Sequence, residues 1–578
     1  MKKNNLYLLI IFVLSALIHS HGLNWGLPNW QRSLQVFGTK ERISENSVKM
    51  IELRTSLYTK GKAFSDRESS FTKDEFQKYF TPHNQKPFET LTKDTVLDFS
   101  RGYLLGLVLS DEQQVINAMA NIHPEKLDFD PDTNYTHGAF YYYSLGAVML
   151  KGKILKVLNI TSDISYYLLN PGEIAKIYMA ARYFSFLFAV LCGILVFFIA
   201  RGLFDGITGF VAGVIFTAMP LVLNYSHQVK PHVYGMFWML LALLMCVRII
   251  KQKDDSKYLL VSLFLGFSAA TLLSNMSFAI MIPLAELFRR LKNNREISFK
   301  TVILPFLLVP VIYLILTPYV IFSFKRFYNA AILHNYVSYN YGKFGIKTAY
   351  LFLKSVFEFG NIWIIIPGLL FGIYSLFKSK LDEHRFFLSI SMIFIVFVSF
   401  FMKHQGVFTV SLPFICILAA YGLISALRQN KLMKIATVIY MVPLLIILTA
   451  GILFYETTYV QIGNITNAGK WINENIPKNS KVGIPSGWAL PGYFPAMSFL
   501  DYKIINFPID ETLLKEHTNS FPEYLVMPFV EVAKYGVIKD NYDELKSYKS
   551  RENMLGIPFT NAFIPTENID IKVFKRKK

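Results

Sequence analysis

Charge is scarce in this chain. Asp, Glu, Lys and Arg make up 17% of its 578 residues, against 53% hydrophobic and 16% aromatic, a balance too apolar for a soluble, disordered or fibrous protein of this length. Acids are scarcer than bases, 40 against 59, for a formal charge of +19. Cysteine is nearly absent. Cys192, Cys246 and Cys416 each sit inside an apolar segment with no near neighbour in sequence, which indicates neither a zinc site nor a disulfide framework. The Walker, GxGxxG, HExxH and GxSxG patterns are missing too, so nucleotide-driven pumping and the commoner hydrolase layouts lack their residues. Asp and Glu are sparse within the apolar runs, whereas transporters usually place ionisable groups at the bilayer midplane. That points to chemistry at the membrane surface.

What is present is a series of apolar runs. A hydrocarbon core about 30 Å thick needs about 20 apolar residues in a helix, because unpaired backbone amides are costly there. The criterion predicts a polytopic α-helical membrane protein with about eleven spans, near 5–19, 178–200, 207–226, 232–249, 258–274, 276–288, 302–322, 361–378, 386–401, 407–426 and 435–455. Segment 276–288 is short and ends on Glu286, Arg289 and Arg290, which suits a re-entrant piece. The apolar run within residues 1–20 is followed by IHSHGLNW (18–25) with no small-x-small cleavage site, so a retained first helix is expected.

With a cytoplasmic N-terminus, the inner segments carry Arg201, Arg248, Arg289, Arg290, Lys378, Arg428 and many further cations. The short outer loops hold only Lys230, Lys325, Arg326, Lys343, Lys347, Lys354 and Lys403. This bias sets the orientation and accounts for much of the basic balance, and no nucleic-acid partner is needed. The expected organisation is a first helix at 1–22, a large extracytoplasmic loop at 23–177, a helical core at 178–455 and an extracytoplasmic C-terminal domain at 456–578. Within the loop, GAFYYYSLGAVMLKGKILKVL (138–158) is interrupted by Lys151, Lys153 and Lys156 and reads as an interfacial helix. The last segment alternates a helix-like 467–477 with short strand-like runs at 481–484, 503–506 and 523–527, which predicts a small α/β domain.

The most informative stretch is LVLSDEQQVINAMANIHPEKLDFDPDTNYTHGAFYYYSLGA (107–146), where Asp111 and Glu112 head a helix-like run. With it come ARYFSFLFAVLCGILVFFIARGLFDGITGFVAGVIFTAMPLVLNYSHQVKPHVYG (181–235), GFSAATLLSNMSFAIMIPL (266–284), QGVFTVSLPFICILAAYGL (405–423) and NAGKWINENIPKNSKVGI (467–484). Together and in this order they resemble the membrane glycosyltransferases of the GT-C fold, the superfamily of protein O-mannosyltransferases and aminoarabinose transferases. The tryptophan-rich WWD signature of oligosaccharyltransferases is absent.

The resemblance implies transfer, with inversion, of a sugar from a polyprenyl-phosphate donor to a lipid, glycan or protein acceptor on the extracytoplasmic side. Asp111 matches the family's first-loop general base, with Glu112 beside it. A hydroxyl is a poor nucleophile at neutral pH, so a carboxylate must take its proton. The alternative for both acids is a charge pair at a helix N-terminus. Fixed cations must meet the departing phosphate, and Arg182, Lys230, His232, Lys403 and His404 are the candidates. For Arg182 the alternative is a snorkelling helix-end cation. His232 stands where relatives often have an acid, and Asn275 where many have a lysine.

The loop 322–345 offers Lys325, Arg326, His334 and Lys343, with Tyr336, Tyr339 and Tyr341 for stacking on a sugar; the alternative is an interfacial anchor. No cofactor is required by the sequence; a divalent metal ion, if bound, has Asp111, His227 and His232 as weak candidates. DFDPDTN (128–134) lacks the sixth-position glycine and twelfth-position glutamate of a calcium loop and reads as a turn. The rival functions are a glycolipid flippase or transporter, and a non-catalytic component of an envelope-glycan assembly complex.

Overall fold

The computed structural model describes residues 2–65, 86–106, 110–132, 135, 137–252, 257–291, 299–329, 345–402, 404–460, 463–485, 494–528, 535–559 and 569–577. Five helices in it are long and apolar enough to cross a membrane: Lys3–Ser20, Pro171–Leu203, His232–Gln252, Asp382–Met402 and Lys431–Thr458. Two bent pairs bring the number to seven if each is one span. Gly206–Thr217 meets Pro220–Ser226 at 61°, and Ile346–Glu358 meets Asn361–Phe377 at 87°. The helices Tyr258–Thr271, Val302–Leu316 and Leu412–Leu427 are apolar but shorter.

The described residues therefore give five to seven spans where about eleven were expected. With each bent pair taken as one span, the difference falls on 258–274, 276–288, 302–322 and 407–426, where helices Tyr258–Thr271, Met281–Leu291, Val302–Leu316 and Leu412–Leu427 are shorter than a bilayer core requires. Elsewhere and within these runs, breaks that apolar composition hides interrupt the helices. The run 207–226 bends because Pro220 has no N–H to donate and pushes Met219 into an extended conformation (φ −68°, ψ 123°). The run 276–288 starts inside a 3-10 stretch, Leu273–Ile280, and becomes α-helical only at Met281.

Small residues let two of the shorter elements close together. Helices Ile366–Phe377 and Leu412–Leu427 cross at Gly368, Gly372 and Gly422. A Cβ on Gly422 would lie 1.9 Å from the Gly368 carbonyl oxygen, and one on Gly372 2.0 Å from that of Leu418. Gly422→Ala is therefore expected to destabilise the bundle by about 1–3 kcal/mol, the usual cost of overpacking, because backbone rather than a flexible side chain must give way. A lowered thermal transition in detergent checks this, and an unchanged transition would show that the crossing relaxes freely.

The two polar segments fold against each other on one side of the bundle. Helix Asn464–Asn475 leads into a five-stranded mixed sheet of order Lys503–Phe507, Lys481–Pro485, Tyr524–Pro528, Ile571–Arg576, Tyr542–Tyr548. Its first two neighbour pairs are parallel, with Val482 opposite Ile504 and Tyr524, and the others are antiparallel. The three strand-like runs read from the sequence coincide with strands.

The early polar segment adds to the sheet edge. Phe88 N–H donates to Asn506 O (2.7 Å), Asn506 N–H to Glu89 O (2.9 Å) and Leu91 N–H to Ile504 O (2.8 Å). Nearby, Gln35 Nε2 donates to the carbonyls of Thr466 (2.7 Å) and Ala496 (2.6 Å), and Tyr103 O–H to that of Phe494 (2.7 Å). Helix Ala139–Ile154 has 16 residues, about 24 Å at 1.5 Å per residue, too short for the hydrocarbon core. Tyr141, Tyr142, Leu145 and Met149 are buried, whereas Leu150, Ile154, Leu155 and Val157 are exposed beside Lys151, Lys153 and Lys156. That is the pattern of an interfacial helix.

Candidate active site

Helix Pro171–Leu203 has 33 residues, about 50 Å of rise, so it outruns a bilayer core of about 30 Å and its early turns project toward the polar segments. Arg182 lies on that stretch and is fully buried. Its guanidinium grips the equally buried Glu112 in a two-pronged pair, Nε to Oε1 (2.9 Å) and Nη2 to Oε2 (2.8 Å). Nη1 donates to the carbonyls of Leu23 (2.7 Å) and Trp25 (2.6 Å), and the Trp25 ring stacks 4.6 Å from the guanidinium carbon. Glu112 Oε1 also accepts the Val229 N–H (2.8 Å).

One ion pair thus ties together the end of the first helix, helix Pro171–Leu203, the segment after the Pro220 bend and the first turn of helix Ser110–Ala120. Desolvating two charges is expensive, and the bidentate geometry with extra hydrogen bonds is what offsets it.

This corrects two expectations. Arg182 is committed to Glu112 and two carbonyls inside the protein, so it presents no face to a lipid phosphate. Glu112 is equally committed and fully buried.

Asp111 is different. Neighbouring helix positions point about 100° apart, so when Glu112 faces the interior Asp111 faces outward. Its side chain is 45% exposed, and Oδ2 lies 2.8 Å from Lys230 Nζ, whose own side chain is 13% exposed. Lys230 is placed by the knot just described: Val229 is held by Glu112, Lys230 N–H donates to Gln228 O (3.0 Å), and Pro231 follows. Its ammonium stands 5.6 Å over the Tyr225 ring. Burial opposes ionisation of Asp111, but the charge and hydrogen bond of Lys230 hold its carboxyl below the usual range.

Three imidazoles complete the cluster. His232 packs on Tyr225, with ring centroids 4.6 Å apart, and lies 6.3 Å from His404 and 6.4 Å from His137. Both close approaches need glycine. A Cβ on Gly406 would sit 2.1 Å from His232 Nε2, and one on Gly138 1.9 Å from the Ala270 carbonyl oxygen. Gly138 N–H donates to Thr271 O (2.9 Å), and His137 pairs with Leu272.

Burial, then the Lys230 charge, lowers His137 to about 3 and His404 to about 4 from an ordinary 6.5. Both are neutral in the folded protein at neutral pH. The unfolded chain therefore binds more protons once the pH drops below about 6.5, and stability is lost progressively down toward about 4 and about 3. Each imidazole contributes up to about 1.4 kcal/mol per pH unit in that window. Thermal transitions in detergent are expected to fall between pH 7 and pH 5, with a shallower slope in His404→Gln. An identical slope in that variant would remove His404 from the account.

The remaining candidates lie elsewhere. His227 faces inward, its ring bonded to the carbonyls of His21 (2.5 Å) and Leu223 (2.8 Å). Among the described residues no three His, Cys, Asp or Glu side chains are placed to hold a metal ion, so Asp111, His227 and His232 do not form the centre considered from the sequence. Arg326 pairs with Asp130 and Asp132, Asp130 also accepts from Tyr135 and Ser323 (2.6 and 2.7 Å), and Lys325 is exposed. The acids of 128–134 thus belong to a turn latched by Arg326, which redirects that arginine from sugar contact. His334, Tyr336, Tyr339, Tyr341, Lys343 and Lys403 lie outside the described residues. His137 was not singled out in the sequence; only its strand-like contact with Leu272 brings it to Asp111.

Comparison with known proteins follows this geometry. The family model for dolichyl-phosphate-mannose-protein mannosyltransferase matches residues 174–322, less than half of the chain. The match contains two of the five stretches that carry the resemblance noted above, 181–235 and 266–284. Among curated proteins none matches in sequence. Two similar solved structures are of the Archaeoglobus fulgidus oligosaccharyltransferase. The apo form has 12% identity and a TM-score of 0.43, covering 78% of this chain and 71% of that one. The complex of this enzyme, AglB, with an inhibitory peptide and a dolichol-phosphate has 13% identity and a TM-score of 0.44, covering 79% and 71%. ArnT from Cupriavidus metallidurans bound to undecaprenyl phosphate has 13% identity and a TM-score of 0.41, covering 79% and 92%.

Proposed function

We propose that this chain is a membrane glycosyltransferase of the GT-C type that moves a sugar from a polyprenyl-phosphate donor to an acceptor hydroxyl. The site lies on the side of the membrane where the two polar segments meet, extracytoplasmic by the positive-inside distribution of cations. The observation that carries the reading is the Asp111–Lys230 pair, 2.8 Å apart and open to solvent at the acid. It combines a proton acceptor for the nucleophile with a cation for an anionic leaving group.

In the proposed step the acceptor's proton passes to the Asp111 carboxylate as its heteroatom attacks the anomeric carbon. The bond from that carbon to the phosphate oxygen breaks on the opposite face, with inversion, and its electron pair leaves on the phosphate, whose charge Lys230 meets. Glu112 and Arg182 are positioning residues that fix the backbone of both partners. His137, His232 and His404 wall the site.

The family match to a polyprenyl-phosphate-mannose transferase over 174–322 supports the reading, and that stretch contains Arg182, Lys230 and His232. The test is product formation by the purified chain in lipid nanodiscs, with a panel of polyprenyl-phosphate sugars and acceptors. Transfer with release of the free polyprenyl phosphate is expected. A flippase would instead carry labelled glycolipid across a liposome membrane with no new glycosidic bond, and that result would end the transferase reading.

A further inference from the structure

We infer that Lys230 is exchanged between Asp111 and the donor phosphate, so that donor binding itself frees the base for the acceptor. The inference rests on the transferase reading and concerns the order of events at that same site. It starts from the geometry of the pair: Lys230 Nζ contacts the carboxylate oxygen Oδ2 directly. A carboxylate engaged by an ammonium is a poor proton acceptor, because the cation stabilises the charged form that must be neutralised. Meanwhile the candidate leaving-group cation is occupied by the base. Both roles cannot be filled by the contact as it stands.

Only the lysine side chain has to move. Val229 is pinned by Glu112, Lys230 N–H bonds Gln228 O (3.0 Å), and Pro231 restricts the next position. A flexible four-carbon stem on a fixed backbone can swing its ammonium between two anions. The groups facing the pair favour such exchange. His137 and His404 are neutral, and Tyr225 and His232 form an aromatic floor. An arriving phosphate therefore competes with Asp111 for the lysine. An acceptor that arrives first meets a blocked base, so donor binds before acceptor.

Exchange has a thermodynamic signature that needs no turnover. If Asp111 and phosphate compete for one cation, removing the acid must tighten phosphate binding, and only when the cation is present. The measurement is the affinity of the full chain, in nanodiscs of neutral phosphatidylcholine, for a sugar-free polyprenyl phosphate. Asp111→Asn is expected to bind about tenfold tighter than the parent and Lys230→Gln more weakly. The double variant should match Lys230→Gln, with no gain from the second change.

A gain that persists in the Lys230→Gln background would mean simple charge repulsion by Asp111 and would overturn the exchange, as would unchanged affinity in Asp111→Asn. Either result leaves the transferase reading standing, because the parent still binds the carrier. Failure of the parent to bind polyprenyl phosphate would bring down both. Inorganic phosphate is run in parallel, and affinity equal to that of the lipid would overturn the assignment of the ligand as a lipid carrier.

Discussion

Asp111→Asn is expected to reduce sugar transfer by about 10²–10⁴-fold, the usual contribution of a positioned general base, with the chain still folded. The amide is the same size as the carboxylate and cannot accept the nucleophile's proton. The structural cost is small because the side chain is 45% exposed and the amide oxygen can still accept from the Lys230 ammonium. If Asp111 only decorates the N-terminus of helix Ser110–Ala120, the same change costs a few tenths of a kcal/mol of helix stability and leaves transfer intact. Initial rates at saturating donor and acceptor, beside a thermal unfolding scan of the same preparation, separate the two. Parent-like rates from a folded variant would retire Asp111 as the base.

Glu112→Ala has the opposite profile. It removes the partner of a fully buried guanidinium, orphans the Val229 N–H and leaves the Arg182 charge uncompensated. Breaking a buried pair from one side costs about 3–5 kcal/mol, enough to lower the thermal transition sharply and the yield of folded protein with it. Replacing both members by apolar residues of similar volume, Glu112→Leu with Arg182→Met, is expected to recover most of that loss, since a buried pair is often worth no more than well-packed hydrophobic side chains. Recovery is incomplete, because the Leu23 and Trp25 carbonyls lose their donor. The stabilised double variant should still transfer poorly, because nothing then holds Val229 and Lys230 in place. Unfolding of a polytopic chain is usually irreversible, so the comparison is made at a fixed scan rate. A single variant within about 1 kcal/mol of the parent would show that the pair is not the anchor described.

Much of the architecture was legible because it follows from composition and period. Apolar runs became helices, the lysine-interrupted 138–158 became the 16-residue helix Ala139–Ile154, and the short runs at 481–484, 503–506 and 523–527 became strands. The span number was less legible, because Pro220 and the 3-10 stretch Leu273–Ile280 divide segments that average hydropathy reads as continuous. The resemblance to the GT-C transferases named Asp111, Lys230, His232 and His404, and the structure places these four in one cluster. Residue type and order did not separate the roles of adjacent acids, since which of Asp111 and Glu112 faces inward depends on where Arg182 lies across the fold. For the same reason Arg182 looked like a phosphate ligand, although its partner stands 70 residues earlier. His137 was invisible, being placed by a backbone contact with Leu272.

The strand-like pairing of Phe88–Leu91 with the Lys503–Phe507 edge has a further bearing on biogenesis. The next helix, Lys93–Leu105, precedes helix Ser110–Ala120, which carries Asp111, so an element upstream of the candidate site is paired to a strand made more than 400 residues later in synthesis. A nascent chain inserts its hydrophobic segments long before that pairing exists. Under the proposed function, transfer is therefore expected only after the distal sheet has zipped onto its early partner, and the membrane helices alone do not complete the site.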